Sequence, residues 1–377
     1  MKTISSFWKR LADPDFKGIP DTVSASYLPS LDGLRAISIV IVLLAHLTEG
    51  AINGKAGVNI FFVISGFLIT SLLLKEKVRN GHVSLKHFYV RRTLRIFPVA
   101  YLYLFALIFL NVAFQLHIHR NSFLVAFFYL QNFSFFKDYT WFTGHFWSLA
   151  IEEQFYLIFP FILVFNYKLY LRLVLILIAI VPFINLLCYH GPAKTEPAYV
   201  VLQLLADAFG YGTTSILWGS LLSILLFKNL IPLGRVEKYR WMMLPLLALM
   251  LLFNSPLLDR LPGNETAALI LFAPGICGVV LLGLIPGPSF GFTFLNNRIM
   301  RTLGKLSYSI YIWQQPFTYE QPWAHAIPYG NTIWLNLLLL GITACLSYYG
   351  FEKPFLKLKD VMTRRYSKPE GGAVMAL

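Results

Sequence analysis

The sequence predicts an all-α, polytopic membrane helical bundle of about ten transmembrane helices plus one re-entrant or interfacial segment. Three observations carry that expectation. Of 377 residues, 57% are hydrophobic and only 13% charged, whereas soluble domains carry about 25% charged residues. Apolar runs near the roughly 20 residues needed to cross a bilayer recur along the whole chain. The 32 Lys and Arg fall between those runs, and mostly in alternate gaps.

The expected spans lie near 31–48, 57–75, 96–116, 145–166, 171–190, 200–227, 240–254, 267–286, 305–321 and 331–350. With the N-terminus in the cytoplasm, this order leaves 27 of the 32 Lys and Arg in cytoplasmic segments and 5 in outer loops. That asymmetry is what the positive-inside rule requires. The segment 121–136 is also apolar, but as an eleventh span it would put the basic clusters at 228–240, 298–305 and 353–368 on different sides. It is therefore read as an outer re-entrant or interfacial piece, a role that Gln131 and Asn132 suit.

The chain then divides into a cytoplasmic N-terminal segment 1–26, a membrane domain 27–356 and a cytoplasmic C-terminal tail 357–377. The first 26 residues are polar and mixed in charge, unlike a cleavable signal peptide. Residues 367–377 read as a frayed end. The net charge of +14 follows from topology and contact with anionic lipid rather than from nucleic-acid binding. Cys188, Cys277 and Cys345 lie in apolar segments and read as small buried hydrophobes, not as a disulfide or metal framework. The loops leave no room for a soluble catalytic domain, and no repeat of fixed period is present. Any chemistry must use residues in, or at the edge of, the membrane.

Ionisable groups within apolar spans are costly and mark function by default. They gather in three places. In the first span Arg35 and His46 are 11 residues apart. At about 100° per residue they lie about 20° beyond three full turns, on one helix face and about 16 Å apart along the axis. That face offers an anion-binding group at one end and a proton-handling group at the other. The plain alternative is an arginine snorkelling to lipid phosphate and a histidine satisfied in the core. In the run Arg91-Arg92-Thr93-Leu94-Arg95, Arg92 and Arg95 are i and i+3 and share a face. Such a pair either grips a phosphate or anchors the helix at the interface. In the third place, His145, Trp147 and Ser148 precede Glu152 and Glu153 at the outer end of a strongly apolar span, with Tyr156 one turn on. Acids at a helix start favour the macrodipole, but two of them beside a His and a Trp exceed what capping needs.

Taken in order, these motifs resemble the acyltransferase-3 family, bacterial membrane-bound O-acyltransferases that modify cell-surface glycans. The resemblance rests on Leu31-Asp32-Gly33-Leu34-Arg35 with its spacing to His46, and on Gly57 to Ile69 with Ser65 and Gly66. It continues through the arginine run 91–95 and the block from Trp147 to Tyr156. It ends with Leu303-Gly304-Lys305-Leu306-Ser307-Tyr308-Ser309-Ile310-Tyr311 and Glu352-Lys353-Pro354. The matches cover about residues 27 to 356. Two positions depart from common family patterns: Asn59, where an acid is frequent, and Gln314, where His is frequent. The chain resembles the stand-alone members, without the fused SGNH-type domain that some relatives carry.

The resemblance implies a bacterial cytoplasmic (inner) membrane enzyme that takes an acyl group, most often acetyl, from acetyl-CoA on the cytoplasmic side. The acceptor is a hydroxyl of a cell-surface or lipid-linked glycan, and neither a metal nor a tightly bound cofactor takes part. Arg35, Arg92 and Arg95, with Arg91, would bind the phosphate-rich donor. His46 would be the general base or a transient acyl carrier. Glu152 and Glu153 would orient His46 or bind the acceptor, while Tyr156 and Ser148 would donate hydrogen bonds. Asp32 would order Arg35, and Gly57 and Gly66 would allow close helix approach. Ser65, His145, Trp147, Ser307 and Tyr308 are supporting residues. Trp141, Trp147, Trp323 and Tyr329 either stack on sugar rings or form an interfacial belt. A transporter or flippase for a lipid-linked glycan or small molecule is the rival from another class, and a structural scaffold is a third reading. Acceptor identity and homo-oligomerisation are open from the sequence.

Overall fold

The computed structural model describes residues 2–25, 27–48, 51–136, 140–190, 196–258, 264–287 and 289–366. All regular structure among them is helical. The helices are α1 (Lys2–Ala12), α2 (Asp21–Ser24), α3 (Pro29–Leu47), α4 (Gly54–Asn80), α5 (Leu85–Phe114) and α6 (Arg120–Phe127). They continue with α7 (Trp141–Gly144), α8 (Phe146–Phe165), α9 (Tyr167–His190), α10 (Pro197–Phe209), α11 (Tyr211–Phe227) and α12 (Leu233–Val236). The last are α13 (Met243–Phe253), α14 (Asn264–Leu284), α15 (Phe290–Asn296), α16 (Arg298–Trp313), α17 (Gln315–Thr318), α18 (Ile333–Leu346) and α19 (Lys353–Tyr366). A π-helical turn, Ser347–Glu352, joins α18 to α19.

Among the described residues, six helical stretches are long and apolar enough to cross a membrane: Pro29–Leu47, Gly54–Asn80, Leu85–Phe114, Trp141–Phe165, Tyr167–Cys188 and Ile333–Lys359. The pair Pro197–Phe209 and Gly212–Phe227, bent by 43°, makes a seventh if counted as one broken span. The expected count of ten is not reached on this basis. Helix α13 has 11 residues, α16 has 16 and carries three basic residues, and only Ile270–Leu284 of α14 counts as an apolar stretch. Within 121–136 the structure has α6, of 8 residues. At 1.5 Å per residue it is about 12 Å long, far short of a bilayer core.

Helix α4 lies at the centre, against α3 on one flank and α11 on the other. Small residues allow this. A Cβ at Gly66 would run into the Ile216 carbonyl oxygen, and one at Gly219 into that of Val63. Between apolar helices, close backbone approach and side-chain hydrogen bonds replace the missing hydrophobic drive. Here Thr70 Oγ1 donates to Ser220 Oγ at 2.9 Å, and the Ser71 and Ser223 hydroxyls are 2.9 Å apart. Ser215 Oγ donates to Asn59 Oδ1 at 3.2 Å. Asn59 is thus a bridge between α4 and α11. Gly57 serves the other flank, where a Cβ would meet the Ser38 carbonyl oxygen of α3 at 2.6 Å.

The N-terminal segment is not a free tail. Tyr167 donates its hydroxyl to the Leu11 carbonyl at 2.7 Å, and Arg10 donates to the carbonyls of Lys228 and Asn229 at 3.0 and 3.1 Å. The C-terminal segment expected as a tail from 357 is helical through Tyr366; residues 367–377 lie outside the described residues. The three cysteines are free.

Candidate active site

Helix α3 starts with Pro29 at its first position, where a missing N–H costs nothing. It runs unbroken from Arg35 to His46. The two residues line two cavities that abut. The basic cavity, about 510 Å³, is lined by Asp32, Arg35, Ser65, Arg92, Arg95, Ser148, Glu152, Ser307 and Tyr308, among others. The histidine cavity, about 640 Å³, is lined by His46, Lys55, Trp141, His145, Trp147 and Tyr319, among others. Among the described residues, Val58 and Tyr311 line both.

Arg35, Arg92 and Arg95 form no hydrogen bond or ion pair with a protein group among the described residues. Two of them sit against aromatic rings. Arg35 lies 6.0 Å from the Phe61 ring centroid, and Arg92 is 4.5 Å from that of Tyr156. A cation on an aromatic face keeps its N–H groups free for an anion. Lys75, Lys305 and Lys359 add positive charge to the lining. Arg91 was expected with this set, but its guanidinium turns away and pairs with Glu76 at 3.1 Å. The i, i+3 spacing of Arg92 and Arg95 puts both on the cavity side, and their neighbour faces the end of α4 instead.

The carboxylates also differ from expectation. Glu152 accepts hydrogen bonds from the hydroxyls of Ser65 and Tyr156 and lines the basic cavity. It therefore belongs with the arginines and not with His46. Glu153, one residue on, points elsewhere. It lines neither cavity, and its Oε1 is buried without a partner among the described residues. Asp32 accepts from the Tyr27 hydroxyl at 2.8 Å and not from Arg35. Gly66 supports helix packing and lies outside both linings.

His46 Nδ1 is 3.2 Å from Gln314 Oε1. The ring meets Trp141 edge-on, with centroids 5.1 Å apart at 76°, and the Trp141 indole N–H donates to the Gln315 carbonyl at 2.9 Å. Gln314 is fully buried in the break between α16 and α17. The break follows from Pro316, which has no N–H to return to the helix. An amide oxygen facing Nδ1 selects the neutral tautomer with its proton on Nδ1, and leaves the Nε2 lone pair open.

Between the cavities, the Tyr311 hydroxyl lies 2.6 Å from Ser148 Oγ and 3.2 Å from the His145 carbonyl oxygen. Ser307 donates to the Gly304 carbonyl at 2.8 Å, and Tyr308 to the Ile96 carbonyl at 2.6 Å. The Tyr308 bond ties α16 to α5, whereas that of Ser307 stays within α16. Trp141 and Trp147 line the histidine cavity; Trp323 is buried and bonded to Asn336, away from any sugar-stacking role. Tyr311, Gln314 and Lys305 were missed as site residues, although Ser307, Tyr311 and Gln314 follow one another at helical i, i+4, i+7 spacing. Glu352, a motif residue without an expected role, is buried and accepts from Ser309 at 2.8 Å.

Comparison with known proteins places the chain in a family. The chain is 32% identical over 361 residues to the peptidoglycan O-acetyltransferase OatA of Listeria monocytogenes, covering 89% of this chain and 56% of the relative. It is 31% identical over 366 residues to the putative peptidoglycan O-acetyltransferase YrhL of Bacillus subtilis, covering 87% and 55%. A putative O-acetyltransferase of Staphylococcus aureus, SACOL0978, is 40% identical over 161 residues, covering 39% and 26%. The chain thus spans about half the length of the first two relatives. No solved structure gives a significant match. The model of the acyltransferase domain matches residues 28–352, and the chain belongs to the acyltransferase-3 family.

Proposed function

We propose that this multi-pass membrane protein transfers an acyl group, most readily acetyl, from cytoplasmic acyl-CoA to a hydroxyl of a cell-envelope glycan. The observation that carries the reading is the pair of abutting cavities, one lined by three unpaired guanidiniums and the other by His46. Unpaired arginines in a partly buried chamber favour a polyphosphate ligand. The donor's phosphates lie at the arginines, and its slim pantetheine arm runs along the α3 face towards His46, about 16 Å away at 1.5 Å rise per residue. The relatives' names favour peptidoglycan as the acceptor. The cytoplasmic membrane, ten spans and cytoplasmic termini belong to the same proposal, supported by the distribution of Lys and Arg.

In the direct route, His46 Nε2 takes the acceptor hydroxyl proton as that oxygen adds to the thioester carbonyl. Collapse breaks the C–S bond, and the departing CoA thiolate recovers the proton from the imidazolium. In the two-step route, Nε2 itself attacks the carbonyl and expels the thiolate; the hydroxyl oxygen then takes the acyl group from Nε2, and its proton passes to the thiolate. Ser65, Glu152 and Tyr156 hold the wall of the donor chamber.

The test is acetyl transfer from labelled acetyl-CoA by purified protein in lipid nanodiscs, with a muropeptide or glycan acceptor. His46→Ala is expected to lose about 10²–10⁴-fold in rate, the usual contribution of a positioned base. Wild-type turnover by that variant would remove His46 from the mechanism.

A further inference from the structure

Resting on that reading, we infer that Val58 and Tyr311 form a waist between the two cavities that selects acyl groups by cross-section, admitting unbranched chains and rejecting branched ones. Among the described residues these two side chains line both chambers. On this inference an acyl group bound through its CoA phosphates at the arginines passes between them to reach His46. Neither side of the waist yields easily. Val58 has one strongly preferred side-chain rotamer in a helix. It follows Gly57, whose lack of a side chain lets α4 lie close against the Ser38 carbonyl of α3. Tyr311 is buried, and its hydroxyl is tied to Ser148 and His145 of α8 and the turn before it. Its ring also meets Phe61 edge-on, with centroids 6.3 Å apart.

A rigid waist measures width, not length. The pantetheine arm is itself unbranched through most of its reach, so a straight acyl chain adds no width. A methyl branch beside the thioester carbonyl does. Rejection of one methyl by a packed apolar contact is worth roughly 10- to 200-fold.

The experiment compares butyryl-CoA with isobutyryl-CoA, which have the same atoms and differ only in branching, using full-length protein in nanodiscs. The readout is the ratio of their kcat/KM values, which does not depend on the amount of folded protein. Wild type is expected to favour butyryl by about tenfold or more. Val58→Ala should lower that ratio about tenfold, and Val58→Ile should raise it. A wild-type ratio near one, or ratios unchanged in both variants while acyl transfer persists, overturns the inference alone. Absence of transfer from acetyl-CoA and both of these donors in wild type overturns the underlying reading and the inference with it.

Discussion

The imidazole of His46 and the amide of Gln314 meet 3.2 Å apart, across 268 residues of sequence. The contact joins the first long helix to the break before α17, and it fixes which histidine nitrogen is open. Gln314 is thus a positioning residue. Gln314→Leu removes the acceptor at Nδ1 and should lower kcat by about 10- to 100-fold, the usual range for a lost ligand-orienting partner. KM for acyl-CoA should hold. Gln314→Glu, which restores an acceptor oxygen, should recover more activity than the leucine variant. Equal loss in both, or a rise in donor KM, would show that the residue acts only by packing.

Neighbouring arginines are predicted to part company. Arg92→Ala and Arg95→Ala should each raise the acyl-CoA KM or Kd about tenfold or more, since charge-assisted contacts to phosphate contribute about 1.5–3 kcal/mol. Arg91→Ala should leave donor affinity alone and cost at most about 1 kcal/mol of stability, as its partner is Glu76 on a partly exposed pair. Isothermal titration with CoA, alongside thermal melts, separates the two effects. An equal affinity loss at all three positions would contradict the cavity assignment.

Much of this site is legible in the sequence, and what is not legible has a physical reason. Arg35 and His46 could be paired because helical periodicity is local: residues 11 apart share a face whatever surrounds them. The same arithmetic picked out Arg92 and Arg95. It could not say that Arg91 finds Glu76, or that Glu152 faces the arginines through Ser65 and Tyr156, because those partners lie on other helices. Adjacent residues on a helix point about 100° apart, so Glu152 and Glu153 had to differ, but only packing decides which one meets the chamber. In the sequence Gln314 stands out only as a departure from a family pattern; its role depends on α3 and α16 being neighbours. The span count suffers from a related limit. Hydropathy locates apolar runs but does not say where α13, α14 and α16 begin and end.

Small residues at the α4–α11 contact supply a stability test. Gly66→Ala puts a methyl against the Ile216 backbone carbonyl, a group that cannot rotate away. Overpacking of this kind costs about 1–3 kcal/mol. Gly341 of α18 has nothing within 4 Å of the equivalent Cβ position, and Gly341→Ala should be neutral or slightly stabilising through helix propensity. Melting curves of the two variants in one detergent should therefore diverge. Coincident curves would refute the close approach of α4 and α11.

The N-terminal segment should affect donor binding although it carries none of the three arginines. Lys228, at the end of α11, donates to the carbonyls of Asp13 and Asp15, and its ammonium lies 4.2 Å from the Phe16 ring centroid. Beyond this tie the chain runs to Ala25, whose carbonyl accepts from Lys75 at 3.0 Å, and Ala25, Tyr27 and Leu28 then line the basic cavity. Lys228→Met keeps the apolar stem and removes the donors. With each charged hydrogen bond contributing about 1.5–3 kcal/mol, cleavage within the first 25 residues by a soluble protease should speed up about tenfold or more. Loosening that wall should raise the acyl-CoA KM while kcat at saturation stays near wild type, because His46 and Gln314 are untouched. A variant as protease-resistant as wild type, with the same KM, would mean that the segment is held by its other contacts, such as Arg10 and Tyr167, and that this lysine contributes little to the donor chamber.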